Sequence, residues 1–214
     1  MVFVNRGKDL NELWVNGLSH IITHGDEVIN ERGSKVLEYC SILSEIPIKK
    51  IGGVPTAYPL KDSAVKEYEN AMINPKKNGF TYTYGNRFRE FFGVDQIECV
   101  IEKLKTGNTR RAYMTTWDPE RDLYESEVPC LVGISFQNSG NRLFVSGVWR
   151  SHDFYGAFPA NLIALRKMCG YVSRETNIPM GLLNVLSINA HIYGTDYEQA
   201  KKIVQKEIKR QFYG

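Results

Sequence analysis

Two apolar runs, "CLVGISF" from residue 130 and "RLFVSGVWR" ending at residue 150, flank the turn signal "NSGN". Asparagine and glycine accept the left-handed backbone of tight turns, so residues 130–150 predict a β-hairpin. Further strands are expected in "INERGSKVLEYCSIL" after its glycine turn, in the alternating "GFTYTYGNRF", in "AYMTTW" and in "LLNVLSINAHIY". Helical spacing marks residues 8–23, with Leu10, Leu13, Trp14, Leu18, Ile21 and Ile22 on one face. It also marks "KDSAVKEYENAMI", ended by Asn74 and Pro75, and "VDQIECVIEKLKTG", with a stripe of Val94, Ile97, Val100, Ile101 and Leu104 and a Gly107 cap. One long helix starts at Pro159, and a charged one follows Thr195. Strands therefore cluster around a single long helix, which predicts an α+β sheet rather than a repeating parallel unit.

The 214 residues form one expected domain, 1–214, large enough for a real core, without repeats or a linker. A balance of 27 basic against 24 acidic residues is too even for a nucleic-acid surface, but it favours an anionic metabolite over a cationic one. The start "MVFVNRGKDLNEL" has no apolar signal core and no run reaches membrane-spanning length, so a cytoplasmic location is expected.

Four cysteines without a CxxC pair suggest neither a zinc ribbon nor a disulfide framework. Cys40, Cys99 and Cys169 lie among periodic apolar residues and read as buried small hydrophobes. Cys130 follows Glu127, Val128 and Pro129 at a loop-to-strand entry, where a thiol can face a cleft. His20 and His24 have helical spacing but no third ligand, so no metal site is expected and both read as surface histidines. Taken singly, Arg110 and Arg111 suit a solvated strand entry, Arg150 a strand end, and His191 and Tyr193 a half-buried strand terminus. Their joint order is the informative feature.

That order resembles the thymidylate synthase family. Pro129–Cys130 matches the family's nucleophile motif. Arg150, Ser151, Asp153, Gly156, Pro159 and Asn161 match its Arg-Ser-x-Asp, glycine and Pro-x-Asn series, and His191–Tyr193 its His-x-Tyr pair. "NTRRAYMTTW" is similar to the segment carrying twin arginines across the dimer interface, and "TYGNR" to the family's Tyr-Gly strand. The match spans residues 80–197. The short form, with Leu131 and Asn189 where bacterial members often carry histidine and aspartate, is similar to the compact members from methanogenic archaea.

The resemblance implies a mixed sheet with a long central helix and a sheet-mediated homodimer. It implies C5 methylation of deoxyuridylate, with 5,10-methylene-tetrahydromethanopterin or 5,10-methylene-tetrahydrofolate as co-substrate and no metal. The Cys130 thiolate would add to C6 of uracil. A free thiol has a pKa near 8.5, so the fixed cation of Arg150 would favour the reactive form. Arg150, Ser151 and Arg32 would also hold the phosphate, joined by Arg110 and Arg111 of the partner subunit. A carboxamide both accepts and donates, so Asn161 would read N3–H and O4, provided that neighbours lock its orientation. His191 and Tyr193 would hold the sugar hydroxyl, and Asp153 would accept from the pterin. Tyr84 would hold the water that removes the C5 proton, and Glu67, with Glu69 second, would organise proton transfer. His152 is expected to point elsewhere.

Two other readings compete. A deoxyuridylate hydroxymethylase of the same fold would let water attack the exocyclic methylene. A non-catalytic messenger-RNA binder would need neither Cys130 nor Asn161 and would need the basic face that this composition lacks.

Overall fold

The hairpin forms around Gly140 and Asn141, both with left-handed φ (56° and 57°), joining strands that pair from Ser139 and Arg142 back to Leu131 and Trp149. The computed structural model describes residues 1–213. In chain order the strands are β1 (Phe3–Arg6), β2 (Asp26–Ile29), β3 (Lys35–Pro47), β4 (Tyr113–Thr115), β5 (Leu131–Ser139), β6 (Arg142–Asp153) and β7 (Met180–Tyr193). They form one sheet ordered β1-β3-β7-β6-β5-β4, with β2 on β3. β1 with β3 and β6 with β7 run parallel, and the other pairs are antiparallel. The expected α+β class holds, with a mixed sheet.

The helices are α1 (Leu10–His24), α2 (Asp62–Ala71), α3 (Tyr84–Arg89), α4 (Gln96–Lys105), α5 (Pro119–Asp122), α6 (Phe158–Thr176) and α7 (Tyr197–Tyr213). Asp9 caps α1 by accepting from the Glu12 N–H at 2.9 Å, and Glu12 reaches back to the Lys8 N–H at 2.7 Å. Leu10, Leu13, Trp14, Leu18 and Ile21 are then buried together. α6 links the parallel pair β6 and β7. It buries Phe158, Leu162, Leu165, Met168 and Val172, and ends at Asn177 with φ 57°. None of these helices is long and apolar enough to cross a membrane.

The helices cover one face of the sheet. On the other face Phe144 and Val148 of β6 and Leu186 of β7 are only half-buried, and Ile188 is 45% exposed.

Several local expectations change. "GFTYTYGNRF" is not a strand: Thr83 caps α3 by accepting from the Asn86 N–H at 3.1 Å, and residues 84–89 coil. Val94 lies before the α4 cap Asp95 and is exposed. Cys99 lies on α4 off the buried stripe and is exposed, whereas Cys169 is buried as expected. Cys40 is also exposed, next to Ser41, whose φ of 71° interrupts the alternation of β3. His24 is exposed, but His20 is partly buried and stacks on Phe3 with ring centroids 3.6 Å apart. The short strands β1 and β2 have no counterpart among the expected elements.

Candidate active site

Cys130 is half-buried immediately before β5, and Arg150 approaches it from the neighbouring strand β6. The Arg150 N–H donates to the Cys130 carbonyl at 2.9 Å, a ladder bond that fixes the two residues side by side. Its guanidinium donates to the carbonyls of Pro129 (2.9 Å) and Val128 (3.2 Å) and lies 5.6 Å from the centre of the Trp117 ring. Two of its five N–H donors are thus occupied, and three remain for a ligand. Burial pushes the Cys130 thiol above its ordinary pKa, against the opposing pull of Arg150 and then Arg32. Arg150 thus favours the thiolate as expected, but desolvation outweighs it.

Three tyrosines wall this thiol. Tyr84, in the first turn of α3, accepts from the Leu131 N–H at 3.2 Å, and Tyr82 donates to the Val128 carbonyl at 3.2 Å. Tyr68 projects from α2 and meets Tyr84 edge to face. Burial raises all three phenols, Tyr82 to about 12, so they act as neutral donors and acceptors. A cavity of about 290 Å³ opens beside them, lined also by Phe80 and Glu127. α3 itself is anchored by Arg87, whose buried guanidinium grips Asp122 at 2.8 and 3.1 Å and donates to the Thr116 carbonyl.

The turn from β6 into α6 brings in the next group. Asp153 Oδ1 accepts from the N–H groups of Tyr155 (2.9 Å) and Gly156 (3.0 Å), leaving Oδ2 without a partner among the described residues. A Cβ on Gly156 would lie 2.6 Å from that Oδ2, so only glycine lets the carboxylate fold over its own turn. Trp14 donates to the Phe154 carbonyl at 2.6 Å, and Tyr58 to the Gly156 carbonyl at 2.6 Å, which pins the turn from both sides. Burial raises the Asp153 carboxyl pKa, opposed first by the Gly156 N–H and then by His191. His191 is the register partner of Asp153 on β7. Burial lowers its pKa against the pull of Asp153, and Tyr193 packs edge-on against it.

Asn161 follows in the first turn of α6, buried. Its Oδ1 accepts from the Tyr68 hydroxyl at 2.5 Å, and its Nδ2 lies 3.0 Å from His152 Nε2. His152 Nδ1 lies 2.8 Å from Ser187 Oγ. His152 therefore does not point away: it is buried against the base of this group.

Arg32, in the turn before β3, donates to Glu127 at 2.9 Å and to the Ser126 carbonyl at 3.0 Å, which ties that turn to the loop entering Cys130. Cys130, Arg150, Tyr84, Asp153, Asn161, His191, Tyr193 and Arg32 thus share one neighbourhood. Ser151 is half-buried on β6, with no side-chain hydrogen bond among the described residues. Arg110 and Arg111 are exposed before β4, with no ion pair among the described residues. Glu67 is exposed and Glu69 half-buried on α2, and the side chain that this helix sends to Asn161 is Tyr68.

The sequence profile of thymidylate synthase matches residues 35–212 of this chain. The chain belongs to the thymidylate synthase family. It is 38% identical to a provisionally named thymidylate synthase of Methanopyrus kandleri, over 90% of this chain and 94% of that protein. It is 36% identical to one of Methanosarcina mazei, over 94% of both chains. A third, from Methanothermobacter marburgensis, is 34% identical over 92% of this chain and 96% of its own length. Thymidylate synthases are methyltransferases, and this chain is of that enzyme class.

Beyond the family motifs the structure adds Tyr68, Tyr82, Tyr58 and His152 to the site. Only Tyr68 carried a signal: Val65, Tyr68 and Met72 have helical spacing, which sets Tyr68 on the inward face of α2. His152 sits at the unspecified position of Arg-Ser-x-Asp, where the motif carries no expectation.

Proposed function

We propose that this chain methylates C5 of deoxyuridylate to give thymidylate, with Cys130 as the nucleophile. The observation that carries the reading is the pairing of Cys130 with Arg150 next to the buried carboxamide of Asn161. The thiolate adds to C6 of the base, and C5 gains the electron density it needs to form a carbon–carbon bond. The C5 proton leaves through water held by Tyr84, with Glu67 or Glu69 of α2 handling proton transfer. The amine of the pterin carrier then leaves the methylene, hydride from the carrier reduces that exocyclic carbon to methyl, and the thiolate departs from C6 as the C5–C6 double bond re-forms. Asn161 reads N3–H and O4, His191 and Tyr193 hold the sugar hydroxyl, and Arg150, Ser151 and Arg32 hold the phosphate.

The co-substrate is a reduced pterin of the tetrahydromethanopterin or tetrahydrofolate type, which supplies the methylene and the hydride. The free Oδ2 of Asp153 suits its ring N–H groups, and the exposed Phe80 suits its ring face. The active unit is a homodimer: the half-covered sheet face supports it, and so does the lack of an ion pair to Arg110 or Arg111 among the described residues, which we assign to the partner's phosphate site. No metal is assigned a role, and the location is cytoplasmic.

The test is turnover of deoxyuridylate with each methylene carrier, followed by the mass of the product. Thymidylate is the expected product. One heavier by an oxygen would identify a hydroxymethylase, and no turnover with either carrier would overturn the proposal.

A further inference from the structure

We propose that His152 fixes which way round the Asn161 carboxamide lies, and so sets the preference for a 4-oxo over a 4-amino pyrimidine. The inference rests on the reading of Asn161 as the base reader.

A carboxamide is nearly symmetric in shape, and turning it over exchanges its donor for its acceptor. Asn161 stands between two partners, Tyr68 Oη at 2.5 Å and His152 Nε2 at 3.0 Å. The tyrosine hydroxyl can donate or accept, so it serves either orientation. A neutral imidazole cannot, because one ring nitrogen carries the proton and the other a lone pair. We assign the tautomer that donates Nδ1–H to Ser187 Oγ at 2.8 Å; in it Nε2 is the acceptor, Asn161 Nδ2 donates to it, and Tyr68 donates to Oδ1. The opposite tautomer would reverse every bond in the row. The histidine tautomer is therefore the setting that the carboxamide follows. One N–H on Nδ2 and one lone pair on Oδ1 are left over, a donor and an acceptor side by side for the base edge.

The doubly protonated ring, which would donate from both nitrogens, is kept out by the surroundings. The Trp149 ring stacks on His152 at 4.8 Å, and Phe158 and Phe154 lie at 5.2 and 5.5 Å. Burial in that aromatic box, and then the charge of His191, bring the imidazole pKa down to about 3. The ring accordingly stays neutral across the neutral range, so a given tautomer, and with it the orientation of the carboxamide, is not lost to protonation.

A base of the wrong edge would leave buried donors and acceptors unpaired, each lowering kcat/KM by roughly tenfold or more. Two measurements test the lock. In the unmodified protein, the nitrogen-15 spectrum of His152 is expected to show a protonated Nδ1 and a bare Nε2, unchanged between about pH 5 and pH 8. A protonated Nε2 would overturn the proposal. In kinetics, His152→Phe keeps an aromatic ring but removes both nitrogens. The ratio of kcat/KM for deoxyuridylate over deoxycytidylate is expected to fall roughly tenfold, mainly through a gain for the cytosine nucleotide. A folded variant with an unchanged ratio, or one that loses both substrates equally, would overturn it.

Should His152→Phe not fold, Ser187→Ala removes the one side-chain partner of Nδ1 among the described residues, which releases the hold on the tautomer, and is expected to lower the same ratio; an unchanged ratio again counts against the lock. Wild-type protein that turns over neither nucleotide would overturn the functional reading and the selectivity claim with it. The spectrum would still decide the orientation of the carboxamide on its own.

Discussion

Nε of Arg150 donates to the carbonyl of Pro129 at 2.9 Å, so the cation beside the Cys130 thiol also holds the peptide that presents it. The same side chain is one of the two groups pulling the thiol pKa down against burial. Arg150→Met is therefore expected to raise the thiol pKa further and to slow alkylation at every pH below it. In the wild type, the rate of alkylation by iodoacetamide should keep rising through pH 9, because burial already holds the thiol above that ordinary value. A plateau near neutrality would show that the resting thiol is acidic after all.

Cys130→Ala is expected to abolish turnover while leaving nucleotide binding and the unfolding midpoint close to wild type. This variant also tests the assembly. Mixed with a chain carrying Arg110→Ala and Arg111→Ala, it should form hybrid dimers with one intact site, and activity should return in part. Confirmed subunit exchange without recovery would place those arginines in their own subunit's site.

α2 offers Tyr68 and Glu67 for different tasks, and their variants should differ in kind. Tyr68→Phe removes a bond to buried Asn161 and is expected to cost about 1–3 kcal/mol, read as a rise in KM with base selectivity largely kept, because His152 still orients the carboxamide. Glu67→Gln removes an exposed carboxylate and should lower kcat and alter its pH profile with little change in nucleotide affinity. Steady-state kinetics on the two variants separate these outcomes. Unchanged kcat in Glu67→Gln would transfer the proton-handling role to Glu69 or to the tyrosines.

Sequence periodicity reached the elements whose burial is one-sided and regular. The α1 stripe from Leu10 to Ile21 and the hairpin around Gly140 fold as their spacing predicts. It failed where one local contact outweighs the pattern. The alternation in "GFTYTYGNRF" is a strand signal, yet the Thr83 cap and the Arg87–Asp122 pair hold the stretch as a helix. Ser41 likewise exposes Cys40 through one backbone angle. In the site, motif residues such as Cys130, Arg150 and Asn161 were legible because their order is. Tyr58 and His152 were not, because they act through contacts with residues far away in sequence, Gly156 for the first and Asn161 with Ser187 for the second.

His152 also gives the fold a signature in acid. Folded, the buried imidazole takes up a proton only near pH 3, whereas the unfolded chain does so near pH 6.5. Between those values unfolding binds a proton, so stability falls as pH falls, by up to about 1.4 kcal/mol per pH unit. Guanidinium unfolding from pH 7 to pH 4 should show this decline in the wild type and a shallower one in His152→Gln, which has nothing to titrate. Parallel curves for the two proteins would mean that His152 titrates in the folded chain as it does in the unfolded one.

The bridge between Arg32 and Glu127 has a kinetic consequence. Both side chains are more than half exposed, and they join the turn before β3 to the loop that enters Cys130. The Arg32 bonds to Ser126 and Glu127 both use Nη2, so a phosphate that meets Arg32 as proposed would find Nε and Nη1 open but would share the guanidinium with the Glu127 carboxylate. The net electrostatic gain is small, and a doubly charged phosphate competes far better than a singly charged ester. The neighbouring carboxylate would thus act as a built-in competitor that disfavours weakly charged anions at Arg32.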